Sequence, residues 1–302
     1  VNATLGMFDG RPSLRMERRL AHPPEKVWRA VTEPDRLGQW FPFTVVQMDL
    51  RVGGKITFDG GGMTMDAEIT ELDPPRLFAF LQHSPREMPR EGDNLLRFEL
   101  LPEEGGCLLV FTQVFHDRPA AASYASGWQV CLDAMEAIAG GRPAEWPEGN
   151  FAHLHEAYVE AFGLAEGVAE RLDERLDERL DERLDERLGE QTGGGWRVRF
   201  ERQLTRPVEE VWAAAGAPAA TRGEPVPDGL GEGTVTAVRE PAAELPAYVE
   251  SGEQGRHVRW ELSQGTGHGA RLVVTETGLP DPAGALKAWR DRIETLARRL
   301  LA

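Results

Sequence analysis

Among the large apolar side chains in the first half of the sequence, eleven are candidates for a pocket: Trp40, Phe41, Phe43, Phe58, Met63, Met65, Phe80, Phe98, Phe111, Tyr124 and Trp128. Such residues can line the apolar pocket of a small ligand or simply fill a core. Polar candidates are few. His83, in QHSPRE, follows an extended stretch and can meet a ligand or act as a base near neutral pH, or it can be a plain surface histidine. Arg76 and Arg97 alternate with apolar neighbours; each can grip a carboxylate bidentately or face solvent. His116 and Asp117 can form an oriented imidazole pair or cap a strand end. His153, His155 and Glu156 suggest a metal, but residues two apart on a helix do not share a face, so no metal site is expected. The thiol of Cys131 is expected to be an inert core group. No nucleophile elbow, phosphate-binding loop or dinucleotide fingerprint occurs, so no catalytic residue and no cofactor is assigned.

Composition narrows the partners. The 302 residues are 41% hydrophobic and 28% charged, with a formal net charge of −16. That charge argues against nucleic acid, whose non-specific binding depends on basic side chains at phosphates. No apolar run reaches the ~18 residues of a membrane span, so no membrane partner is expected. The opening VNATLGMFDGRPSLR has no basic region followed by an apolar stretch. With only Cys107 and Cys131 present, a reducing cytoplasm is the expected location.

The elements that must position these residues occur twice. MERRLAHPPEKVWRA (Met16–Ala30) aligns with FERQLTRPVEEVWAA (Phe200–Ala214) at a constant offset of 184, with eight of fifteen positions identical. RFEL at Arg97–Leu100 matches RWEL at Arg259–Leu262, and LVFT at Leu109–Thr112 matches LVVT at Leu272–Thr275. Trp128, Leu132 and Met135 share the spacing of Trp289, Ile293 and Leu296. Two copies of one fold are therefore expected, at 11–165 with a C-terminal helical extension and at 194–302 in truncated form. Between them, the RLDE repeat from Arg171 to Leu188 favours helix, and 166–193 reads as a helical linker. A docked helix or partner site is the other reading of that tract.

Within the first copy the pattern predicts a strand over Ser13–Leu20, a short helix from Pro24, a second over Asp35–Trp40, and strands from Phe43 to Phe115. Asn94–Leu101 and Cys107–Phe115 form a hairpin. A long amphipathic helix closes the copy over Pro119–Gly140. Strands without helical crossovers imply an antiparallel meander. The expected class is α+β: two helix-grip domains, each a curved antiparallel sheet wrapped around a long C-terminal helix, an arrangement that leaves room for a cavity.

Five segments carry a family resemblance: PPEKVWRAVTEPDRLGQWF (Pro23–Phe41), RVGGKITF (Arg51–Phe58), ITELDPPRLFAF (Ile69–Phe80), LLRFEL (Leu95–Leu100) and GWQVCLDAM (Gly127–Met135). The first copy resembles the SRPBCC superfamily of START-like, birch-pollen-allergen-like domains. Within it, it is similar to homologues of the activator of the 90-kDa heat-shock-protein ATPase. The second copy resembles them more weakly and has GEPVPDG (224–229 and the residue before) where the first has Leu37–Phe43. The resemblance implies a cavity mouth at Trp40 and Phe41. The expected ligand-binding set is Trp40, Phe41, Phe58, Met65, Phe80, His83, Phe98, Tyr124 and Trp128. The expected function is non-enzymatic binding of a small hydrophobic or amphipathic ligand. A chaperone-associated stress protein acting through its surface, and a cyclase- or aromatase-like enzyme using His83 with Arg97, are the alternatives. The two copies can pair as a pseudo-dimer within one chain, or chains can pair as a homodimer.

Overall fold

The computed structural model describes residues 2–84, 92–144, 146, 151–172, 195–242 and 245–301. The chain divides into two compact units, Val1–Phe162 and Gly163–Ala302. Both are α+β, each an antiparallel sheet that carries one long helix.

The first unit begins with β1 (Ala3–Phe8) and β2 (Arg11–Leu20). β2 alternates as a half-buried strand should: Leu14, Met16 and Leu20 are buried while Arg15, Glu17 and Arg19 are exposed. Pro23 stops it, and Pro24 opens α1 (Pro24–Thr32), where a missing N–H costs nothing. Val27, Ala30 and Val31 bury one face of α1, and α2 (Pro34–Leu37) adds a single turn. The sheet continues through β3 (Thr44–Met48), β4 (Lys55–Asp59), β5 (Thr64–Asp73), β6 (Leu77–Gln82), β7 (Asn94–Glu103) and β8 (Gly106–Val114). Strand order is β1-β2-β8-β7-β6-β5-β4-β3. The glycines of RVGG have a steric reason. A Cβ on Gly54 would lie 1.9 Å from the Asp49 carbonyl, in a turn where Gly53 and Gly54 exchange backbone hydrogen bonds with Ile69. The long helix α3 (Ala121–Ala139) follows, then α4 (Phe151–Ala161), which packs on α3.

The second unit contains β9 (Val168–Leu172), β10 (Gly195–Leu204), α5 (Val208–Ala214), β11 (Thr234–Arg239), β12 (Ala247–Glu253), β13 (Arg256–Gln264), β14 (Ala270–Leu279) and α6 (Ala283–Leu301). Its order is β11-β12-β13-β14-β10-β9. That is the first unit's order without its last two strands, β3 and β4. The registers correspond as well. Gln113 lies between Leu14 and Leu96 in the first sheet, and Glu276 lies between Val198 and Val258 in the second.

Two expectations at the domain edges are corrected. Ala3–Phe8, outside the expected first domain, pairs with β2 in full register. Val168–Leu172, expected within a helical linker, is a strand on the outer edge of β10. Pairing satisfies β10's backbone donors and acceptors, Ala169 packs on the core, and Arg197 reaches Glu170 at 2.7 Å. These tertiary gains exceed the few tenths of a kcal/mol per residue by which helix propensity differs. The rest of the RLDE tract lies outside the described residues.

Candidate functional site

The inward face of the first sheet presents one aromatic or sulfur side chain after another: Phe58 on β4, Met65 on β5, Phe80 on β6, Phe98 on β7 and Phe111 on β8. All are buried. Period-two alternation puts them on one face, and antiparallel pairing sets them side by side: Phe58 faces Met65, and Phe98 faces Phe111. From the other side α3 contributes Trp128 and Tyr124. Trp128 lies 4.5 Å from Phe111, centroid to centroid. Tyr124 is half-buried, 5.1 Å from Phe115.

The turn after α2 delivers Trp40 and Phe41. Trp40 is fully buried, donates its indole N–H to the Ala30 carbonyl at 2.8 Å and meets Phe98 edge-on at 6.0 Å. It ties this segment to α1. Phe41 stacks on Phe58 at 4.9 Å and also contacts Phe80 and Trp128. It is the wedge between sheet and helix, on the turn that follows α2, where its N–H donates to the Leu37 carbonyl at 2.9 Å.

One end of this aromatic block is polar. Trp128 donates to Gln113 Oε1 at 2.8 Å, Gln113 Nε2 donates to Asn94 Oδ1 at 3.1 Å, and Asn94 Nδ2 donates to the Gly92 carbonyl at 3.2 Å. Gln113 and Asn94 are buried. Neither is among the residues singled out from sequence. A signal was present: each shares inward parity with apolar neighbours, Gln113 with Leu109 and Phe111, and Asn94 with Leu96 and Phe98. At the neighbouring rim His83, half-exposed, meets Asp93 Oδ2 at 3.0 Å through Nδ1, and the Ser84 N–H donates to Asp93 Oδ1 at 3.1 Å. Burial would raise the Asp93 carboxyl, but the Ser84 N–H and the imidazole outweigh it and hold the carboxyl below its ordinary value.

The structure therefore brings eight of the nine expected residues into or beside one aromatic block, and leaves His83 at its rim. The rings touch one another, and the pocket of about 420 Å³ in this unit lies elsewhere, between β1 and the end of α4, lined by none of the nine. The pairing of His83 with Arg97 does not occur. Arg97 has the opposite parity to Phe98 and forms ion pairs with Glu71 and Glu99. Arg76 is held by Asp73 at 2.6 Å in the turn before β6. His116 accepts from Arg11 at 3.3 Å. His153 is exposed while His155 is buried with Nδ1 3.3 Å from Glu156. Burial pushes the Cys107 thiol up to about 11, with help from the Glu103 and Glu25 charges, and the Cys131 thiol to about 12.

An antiparallel sheet gripping one long helix, with an aromatic interior that turns polar at one end, defines the helix-grip class of α+β domains. Residues 21–140 match the family described as activator of Hsp90 ATPase homolog 1-like protein. No curated protein matches the chain. Among solved structures it is similar to CalU16 from Micromonospora echinospora, with 21% identity over 53% of this chain and 94% of that one and a TM-score of 0.44. A conserved protein of unknown function from Enterococcus faecalis is 19% identical over 53% of this chain and 89% of its own, with a TM-score of 0.43. A protein from Chromobacterium violaceum is 27% identical over 42% of this chain and 96% of its own, with a TM-score of 0.37.

Proposed function

We propose that the first unit binds a small amphipathic molecule between its sheet and α3, without catalysis. The observation that carries this reading is the buried Asn94–Gln113 pair at the end of an otherwise aromatic interior. Two apolar side chains of similar shape would fill the same space without the desolvation penalty of amides, roughly 1–3 kcal/mol per group left unpaired. A polar pair beside Trp128 gives a ligand a donor and an acceptor at one end, while Phe58, Phe80 and Phe98 receive its apolar body. Phe41 is the side chain a ligand displaces, because it stands between Phe58 of the sheet and Trp128 of the helix and lies outside both elements.

The test is native mass spectrometry and thermal shift of the full chain against a panel of lipids and polyketide-like aromatics. Retention of one molecule per chain, weakened in Asn94→Leu/Gln113→Leu, supports the reading. A chain that carries none of them in wild type, and gains no thermal stability from any, rejects it.

A second reading follows the family's description: the first unit contacts a large chaperone ATPase through its surface. Its support is the match over residues 21–140. Measuring the ATPase rate of the host's 90-kDa chaperone with and without the chain decides it. We also propose that the two units arose by duplication, supported by the shared strand order, the shared registers at Gln113 and Glu276, and the tryptophan that meets each of them from the long helix.

A further inference from the structure

The second unit places an acid where the first has an amide. Glu276 occupies the register of Gln113, and Trp289 of α6 donates to its Oε2 at 2.7 Å, as Trp128 does to Gln113. An amide thus satisfies the indole equally well, and the fold does not need a charge at this position. Yet Glu276 is a buried carboxylate, its side chain 2% exposed. A charge taken out of water is costly unless a cation meets it. The cation comes from the β12–β13 hairpin: Arg256 stands just after the two-residue turn Gln254–Gly255, donates through Nε to Glu276 Oε1 at 2.9 Å, and remains 41% exposed.

That contact forms inside an opening. A pocket of about 160 Å³ is lined by Glu276, Arg256, Ser251, Val258, Glu232 and Glu253 among others. Its floor is the buried carboxylate and its rim carries two more acids. The surroundings already accommodate guanidinium chemistry twice. Arg256 sits on Glu276, and Arg292 lies over the Trp289 ring at 5.1 Å while donating to Glu232 at 2.9 Å.

We propose that this pocket is a binding site for a small guanidinium-bearing cation, which takes the place of the Arg256 side chain on Glu276. Arg256 is then an internal competitor: it neutralises the buried acid when the site is empty and swings to solvent when the ligand enters. Glu232 and Glu253 favour a ligand with a second positive charge one short chain away. This site is in the second unit and is independent of the ligand proposed for the first.

Agmatine, a guanidinium and an ammonium joined by a short chain, is the probe. Its binding to the full chain is followed by isothermal titration calorimetry at constant ionic strength. The indole N–H resonance of Trp289, assigned by its loss in Trp289→Phe, reports the location. Saturable binding that shifts this resonance is expected in wild type. Glu276→Gln, which keeps the acceptor for Trp289, should bind about tenfold more weakly, and Arg256→Ala about tenfold more tightly because the competitor is gone. Arg256→Lys, a weaker competitor, should fall between. Equal affinity in wild type and Glu276→Gln overturns the proposal. So does binding by Arg256→Ala alone with none by wild type, which would reveal only a hole made by the substitution.

Discussion

Trp128 donates its indole N–H to Gln113 Oε1 at 2.8 Å, a hydrogen bond that fastens the long helix to the last strand of its sheet inside an aromatic interior. Its second function is to hold Gln113 in place for Asn94, 3.1 Å further on. Removing Gln113 therefore orphans two groups. Gln113→Leu should destabilise the first unit by about 2–4 kcal/mol, one unsatisfied buried partner on each side. The double variant Asn94→Leu/Gln113→Leu should cost less than the two single changes together, because the pair disappears as a unit. Urea denaturation of the three variants measures both. Strict additivity would show that the two amides act separately.

The two thiols report on packing. Both lie well above their ordinary range, Cys107 at about 11 and Cys131 at about 12, because burial disfavours the thiolate. At pH 8 the native chain should react with iodoacetamide far more slowly than the unfolded chain, with both cysteines labelling together once denaturant is added. Mass spectrometry after timed quenching gives the rates. Fast labelling of Cys131 in native buffer would mean that its face of α3 is open to solvent.

Glu201 on β10 supplies the acid-side pH dependence of the second unit. Burial would raise its carboxyl, but the guanidinium groups of Arg199 and Arg271 prevail and hold it below the ordinary value. A carboxyl depressed in the folded state stabilises fully above the unfolded value, and that stability is lost as pH falls through the folded one. Glu201→Gln should lower the second unit's stability near neutral pH. The gap to wild type should begin to narrow as pH falls through the ordinary Glu range of about 4.3 and close only below the depressed folded value. Thermal melts across this range check it; a gap that persists at low pH would assign the effect to shape instead of charge.

Gly167 tests whether β9 belongs to the second unit's packing. A Cβ there would come within 2.4 Å of the Phe200 ring, and Phe200 is buried in that unit's core. Gly167→Val should cost about 1–3 kcal/mol, the usual range for overpacking. The loss should appear in the unfolding of the second unit and leave the first unchanged. Hydrogen exchange of β10 and α6 localises it. No change in protection would place this segment outside the core.

The sequence alone was enough for the class of fold, the order of strand, helix and hairpin in each half, and the match of 97–100 with 259–262. Those readings rest on period-two and 3.6-residue patterning and on proline and glycine punctuation, which act over a few residues. It was also enough to collect the aromatic set, since large apolar side chains must leave water wherever the chain goes. What the tertiary structure decided is who meets whom. Ala3–Phe8 and Val168–Leu172 are strands because β2 and β10 offer open edges, and no local propensity records an edge supplied from elsewhere. His83 finds Asp93 and not Arg97, because Arg97 lies on the opposite face of the sheet from Phe98. Gln113 and Glu276 gain their meaning from an indole on a distant helix and from neighbouring strands brought alongside by pairing. Parity along the strand can place a polar residue on the inward face, but only packing decides which group meets it there.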